Sequence, residues 1–116
     1  MAVRRIVANI AADPAQARVF YGTLLGLEVV MDHGWILTFS GQGSVRPQIS
    51  IASEGGSGAP VPDLSIEVDD VDDVHRCALE AGFEVTYGIV DEPWGVRRFF
   101  VLDPFGKTVN ILSHRG

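Results

Sequence analysis

Short blocks of alternating apolar and polar residues fill most of this chain, and twice the period lengthens from two to about 3.6. Val3 to Ile10 reads as a strand. Asp13-Pro14-Ala15-Gln16 then opens a helix: Asp caps it, Pro stands in the first turn where no N–H is needed, and Gln reaches back toward the cap. Ala17, Phe20, Tyr21, Leu24 and Leu25 fall at helical spacing on one face, and Gly26 ends the helix in a left-handed conformation. Leu27 to Met31, Trp35 to Ser40 and Pro47 to Ala52 read as three short strands. Glu54-Gly55-Gly56-Ser57-Gly58-Ala59-Pro60 has the composition of a flexible linker.

After that linker the pattern returns. Asp63 to Val68 reads as a strand. Asp70-Val71-Asp72-Asp73 opens a second helix, with acids in the first turn where the helix dipole favours them. Val71, Val74, Cys77, Ala78 and Ala81 form its apolar stripe, His75 falls on its polar face, and Gly82 ends it. Phe83 to Tyr87, Arg97 to Leu102 and Lys107 to Leu112 complete three more strands. The last two flank Asp103-Pro104-Phe105-Gly106, which is turn chemistry with Pro second and Gly last. Each half is therefore βαβββ. The caps at positions 13 and 70 stand 57 residues apart, and the glycines at positions 26 and 82 stand 56 apart. That offset predicts an α+β domain over 1–116 built from two copies of one unit: module one 1–53, linker 54–61 and module two 62–113. The second copy is longer between its second and third strands, and Pro93-Trp94-Gly95 lies in that insertion.

Composition narrows the function. The net charge is −6 with a pI near 4.8, which argues against nucleic acid as a partner. Residues 1–56 hold four acids and four bases, so the remaining residues, with eleven acids and five bases, carry the whole excess. An acidic surface attracts cations, though it also serves solubility alone. No apolar run approaches the ~20 residues of a membrane span, and the first ten residues lack a signal-peptide core. The single cysteine, Cys77, falls on the second helix's buried stripe and suits a cytoplasmic protein.

The paired βαβββ halves, the helix end FYGTLLGLEVV and the run PWGVRRFFVLDPFGKTVNIL resemble the vicinal-oxygen-chelate superfamily of glyoxalase I, bleomycin-resistance proteins and extradiol dioxygenases. The resemblance covers nearly the whole chain. PWG followed by Arg97, Phe99 and the Asp-Pro turn looks most like the bleomycin-resistance branch. It implies that each half curls into an open half-barrel and that two halves pair around a cavity, often between the chains of a homodimer. It also implies up to four metal ligands, on the first and last strand of each half. Carried over by spacing, those positions are Ile6, Gln48, Asp63 and Asn110. Ile6 has no donor, two others offer only amide oxygens, and one carboxylate remains, against three or more strong ligands in a catalytic transition-metal site. No metal and no other cofactor is expected.

Strand parity then collects the cavity side chains. Asp63, Ser65 and Glu67 share one face, with Leu64, Ile66 and Val68 beneath the helix; Gln48 and Ser50 oppose Ile49 and Ile51; Thr108 and Asn110 oppose Val109 and Ile111. Trp35 and Phe39 are candidates for an apolar wall or for core, and Trp94 for a lid over the mouth or a plug. Arg97 and Arg98 alternate, so one faces each side of the sheet; Arg97 is carried as a ligand contact. His33, His75 and His114 read as surface residues. Three functions stay open. One is a sequestering small-molecule binder, its two tryptophans and acidic lobe suiting a cationic aromatic ligand. Another is a lyase or isomerase with Asp63 or Glu67 as general base. The third is a structural or regulatory dimer with a vestigial cavity.

Overall fold

A computed structural model describes residues 1–115 and divides the chain into two compact units. One comprises Val7–Val61, the other Met1–Ile6 with the chain from Pro62 onward. The strand β1 (Val3–Ala11) contributes its start to the second unit and its remainder to the first.

In the unit Val7–Val61, β2 (Glu28–Asp32), β3 (Ile36–Ser40) and β4 (Gln48–Ala52) form a meander, and β1 lies beside β4, giving the order β2-β3-β4-β1. β3 is antiparallel to both neighbours, while β1 runs parallel to β4 with Ala8 opposite Ile49. Ala17, Leu37, Phe39 and Ile51 form the core, with Tyr21, Leu27, Val29 and Ile49 packed against it.

The first helix differs from its expected form. Asp13 does cap a turn, its carboxylate accepting from the Ala15 N–H at 3.0 Å, but that turn is a 3-10 helix over Pro14–Gln16. A π-helix follows over Arg18–Leu24, closed by the Leu25 N–H on the Phe20 carbonyl. Wider turns break the 3.6-residue stripe. Ala17 and Tyr21 face the sheet, while Phe20, Leu24 and Leu25 are exposed. Gly26 ends the segment with φ +70°.

The second unit repeats the topology. β5 (Leu64–Val68), β6 (Val85–Asp91), β7 (Val96–Leu102) and β8 (Thr108–His114) take the order β5-β8-β7-β6. The helix α1 (Val71–Glu80) is capped at both ends. The Asp70 carboxylate accepts from the Asp73 N–H at 3.1 Å. At the other end Phe83 N–H reaches Ala78 O and Gly82 N–H reaches Leu79 O, the double bond pattern of a glycine-terminated helix. Val68, Val71, Ala78, Phe99, Val109 and Ile111 form the core. Val71, Val74 and Ala78 of the expected stripe pack on this core, and His75 joins them edge-on to Phe99 at 4.9 Å, whereas Cys77 and Ala81 at the margin of the stripe are exposed.

The hairpin β7–β8 forms as its turn chemistry predicts. Asp103 Oδ1 accepts from the N–H groups of Phe105 and Lys107, at 2.8 and 2.9 Å, and Gly106 has φ +78°. Glu54–Pro60, expected to be a flexible linker, is an ordered loop: Gly55 N–H reaches Ala59 O at 2.7 Å and Glu54 Oε1 accepts from Gly58 N–H at 2.9 Å. A Cβ on Gly55 would stand 2.1 Å from the Pro60 carbonyl oxygen, so glycine serves close packing there as well as freedom. Among the described residues no helix is long and apolar enough to cross a membrane.

Candidate functional site

Side chains alternate across a strand, so whatever packs under α1 assigns every other residue of β7 and β8 to the opposite face. Phe99, Val109 and Ile111 lie under α1. Arg98, Phe100 and Asn110 therefore face away from it, and two polar clusters stand on that face.

The first is a buried ion pair. Arg98 Nε and Nη2 reach Glu92 Oε2 at 2.7 and 2.6 Å, and both side chains are only 4% exposed. Tyr87 OH donates to the same oxygen at 2.9 Å. The Arg98 guanidinium lies 4.9 to 5.0 Å from the ring centres of Tyr87, Trp94 and Phe100. A charged pair taken from water needs such company: hydrogen bonds for the carboxylate and aromatic faces for the cation. Trp94 is half-buried over Arg98. Its turn is held by Gly95, at φ +93°, whose carbonyl accepts from Arg115 N–H at 2.7 Å.

The second cluster runs along β5 and β8, which pair in parallel with Ser65 opposite Asn110 and Glu67 opposite Leu112. Asn110 Nδ2 donates to Ser65 Oγ at 3.1 Å. Asn110 is buried, and its Oδ1 has no hydrogen-bond partner among the described residues. Further along, Glu67 Oε1 meets Arg5 Nη2 at 2.9 Å and Glu67 Oε2 meets His114 Nδ1 at 2.8 Å.

The expected site residues fare unequally. Asp63 is exposed, and its Oδ2 accepts from the Thr108 N–H at 2.8 Å, so it ties a strand end. Arg97 does not share the face of Arg98. It meets Asp72 of α1 at 3.0 Å and Asp91 at 3.4 Å, and Arg115 joins the same two carboxylates. These four side chains line a shallow cleft of about 570 Å³ whose charges compensate one another. The Asp72 carboxylate, ahead of that of Asp91, holds the Arg97 guanidinium above its ordinary pKa. In the other unit, Phe39 is fully enclosed beside Ala17 and belongs to the core rather than to a ligand wall. Trp35 is half-buried, with His33 stacked on it at 5.9 Å. Gln48 lies opposite Ser40, and the buried Ser50 hydroxyl pairs with that of Thr38 at 2.7 Å. Sequence reasoning passed over Arg98, Glu92, Tyr87 and His114. Parity did place one arginine on each face; which one faced α1 depended on the helix packing.

A family model for the glyoxalase/bleomycin resistance protein/dioxygenase superfamily matches residues 6–111. The chain belongs to this superfamily. A search of curated proteins finds no match. Solved structures share its fold at low identity. One titled NAD-dependent benzaldehyde dehydrogenase, from Legionella pneumophila, aligns with TM-score 0.75 and 17% identity over 95% of this chain and 99% of that one. A superfamily member from Vibrio splendidus aligns at 0.67 and 15%, over 97% and 99%. The methylmalonyl-CoA epimerase of Mycobacterium tuberculosis aligns at 0.64 and 16%, over 98% and 88%. At such identities the likeness speaks for fold, and chemistry must come from the side chains.

The superfamily's metal-ligand positions do not fit a metal here. Ile6 has no lone pair to offer, Gln48 and Asn110 are amides, and the Asp63 carboxylate is turned to a backbone N–H. Among the described residues no three His, Cys, Asp or Glu side chains converge as donors. Three or more strong ligands are the ordinary requirement.

Proposed function

We propose that the protein is a metal-independent binder of small molecules, of the bleomycin-resistance type, acting as a cytoplasmic homodimer that holds its ligand without altering it. The ligand sits on the open face of the second module, between Asn110 and Trp94. The observation that carries this reading is the buried Asn110 Oδ1 without a partner. A buried acceptor left unpaired costs about 1–3 kcal/mol, which a donor on a bound molecule would recover. An N–H-bearing aromatic cation suits that acceptor, the excess acid of this module and the Trp94 ring. The exposed apolar residues Phe20, Leu24 and Leu25 support self-association of the first module's helical face. A carboxylate general base finds less support, since Asp63 is tied to Thr108 and both oxygens of Glu67 are occupied.

Native mass spectrometry of the purified protein tests the reading, followed by titration of aromatic cations against tryptophan fluorescence. We expect one saturable ligand per chain, recovered unchanged, and at least about tenfold weaker binding in Asn110→Leu. Neither a co-purified molecule nor saturable binding would leave the cavity vestigial and the reading wrong.

A further inference from the structure

We propose that Arg5, Glu67 and His114 form a proton-transfer relay, in which Nε2 of His114 is the acid–base atom for a small carbon acid. The three side chains are linked in series. Arg5 Nη2 meets one oxygen of Glu67 at 2.9 Å, and the other oxygen meets His114 Nδ1 at 2.8 Å. Glu67 is largely withdrawn from solvent, at 17% exposure, while the imidazole is 51% exposed. A carboxylate can only accept, so the bond assigns the neutral ring's hydrogen to Nδ1. Nε2 is then bare, and the ring has no further polar partner among the described residues. This is the arrangement a general base requires: a third group fixes the carboxylate, the carboxylate fixes the tautomer, and the accessible nitrogen meets the substrate.

The relay shares a face with the orphaned acceptor. Asn110 and His114 have the same parity on β8, four residues or about 13 Å apart along the strand. That separation exceeds the span of a small carbon acid, so the relay serves a substrate of its own, distinct from the molecule held unchanged at Asn110. In the step itself, Nε2 takes a proton from an acidic C–H and the electron pair moves into the substrate. The same imidazolium returns the proton to another atom of that molecule. The outcome is an isomerisation that needs no co-reactant. Arg5 and Glu67 are positioning residues; His114 alone touches the substrate.

Two measurements on the full chain test this. Nitrogen-15 NMR of the histidine side chains reads the tautomer directly. His114 should carry its hydrogen on Nδ1, and Glu67→Gln should turn it into a mixture. A wild-type ring protonated on Nε2 overturns the relay. The base-elimination probe 5-nitrobenzisoxazole then reads turnover: a base removes its C3 proton, the N–O bond breaks, and the electron pair appears as a coloured phenolate. Saturable turnover should exceed that of free 4-methylimidazole at least about tenfold, and His114→Gln should remove that excess. His33→Gln, in the other unit, serves as the control and should be unchanged. Turnover no faster than the free base, or equal in His114→Gln, overturns the proposal. Tryptophan quenching by the probe is followed in parallel. Quenching that persists without turnover overturns the relay and leaves the binding reading, which concerns an aromatic cation, standing.

Discussion

The two units carry the same βαβββ topology and treat polar groups in opposite ways. In Val7–Val61 the buried hydroxyls satisfy one another: Thr38 pairs with Ser50, and Ser40 donates to the neighbouring Gly41 carbonyl. Its helical segment is a 3-10 turn and a π-helix, with much of its apolar surface left outside. In the unit from Pro62 onward, α1 is fully capped and the sheet face away from it holds a buried ion pair, an amide oxygen unpaired among the described residues, and the linked side chains of Arg5, Glu67 and His114. A buried group satisfied by its neighbour is scaffold. One that is buried and charged, or buried and unpaired, costs stability and so marks where chemistry can be hosted. By that measure we read the first unit as scaffold and propose the second as the place of the site.

The largest expected effect tests that cost directly. Arg98→Ala leaves Glu92 buried and uncompensated and should destabilise the protein by about 3–5 kcal/mol in urea unfolding. Arg98→Leu with Glu92→Leu should lose far less, because the pair's desolvation cost disappears with the pair. Equal losses would mean that the cluster is held by packing alone. Trp94→Ala comes next. A half-buried indole over a desolvated guanidinium contributes about 2 kcal/mol, so a measurable fall in stability accompanies any loss of ligand affinity. A variant as stable as the parent would restore the reading of Trp94 as a free lid.

Hydroxyls sharpen the contrast between units. Ser113 Oγ donates to Val68 O at 2.7 Å and accepts from Val71 N–H at 3.1 Å, joining β8 to the start of α1. Ser113→Ala strands both groups and should cost about 1–3 kcal/mol. Thr38→Val with Ser50→Ala removes both members of a closed pair, and we expect under about 1 kcal/mol. The reverse order would mean that Ser113 does not hold β8 to the start of α1. The smallest effect is a pH dependence. The Ala2 N–H, which Asp69 Oδ1 accepts at 2.9 Å, is the main cause holding the Asp69 carboxyl below its ordinary value, and the chain's amino terminus assists. A depressed carboxyl stabilises the fold above its unfolded pKa and loses that contribution as pH falls through its folded one. Wild type should therefore lose stability relative to Asp69→Asn below about pH 4, as followed by thermal melts.

Local physics made much of the fold legible in the residues. Asp13 and Asp70 are caps, Gly26 and Gly82 end their helices, and Asp103 closes its turn, because each acts within four or five positions of itself. Alternation showed which residues of a strand share a face, which is why Ser65 and Asn110 could both be assigned to the cavity face from sequence, though their pairing follows from the β5–β8 register. Tertiary packing decided the rest. It chose which face of β7 met α1, and so sent Arg98 to Glu92 on the far face and Arg97 to Asp72. It set His75 of α1 against Phe99 and left Cys77, at the margin of the apolar stripe, in solvent. It also brought Arg5, Glu67 and His114 together from three strands far apart in sequence, a contact that no period or spacing encodes, since the parallel pairing of β5 with β8 sets Glu67 beside His114 and Arg5 reaches Glu67 from β1.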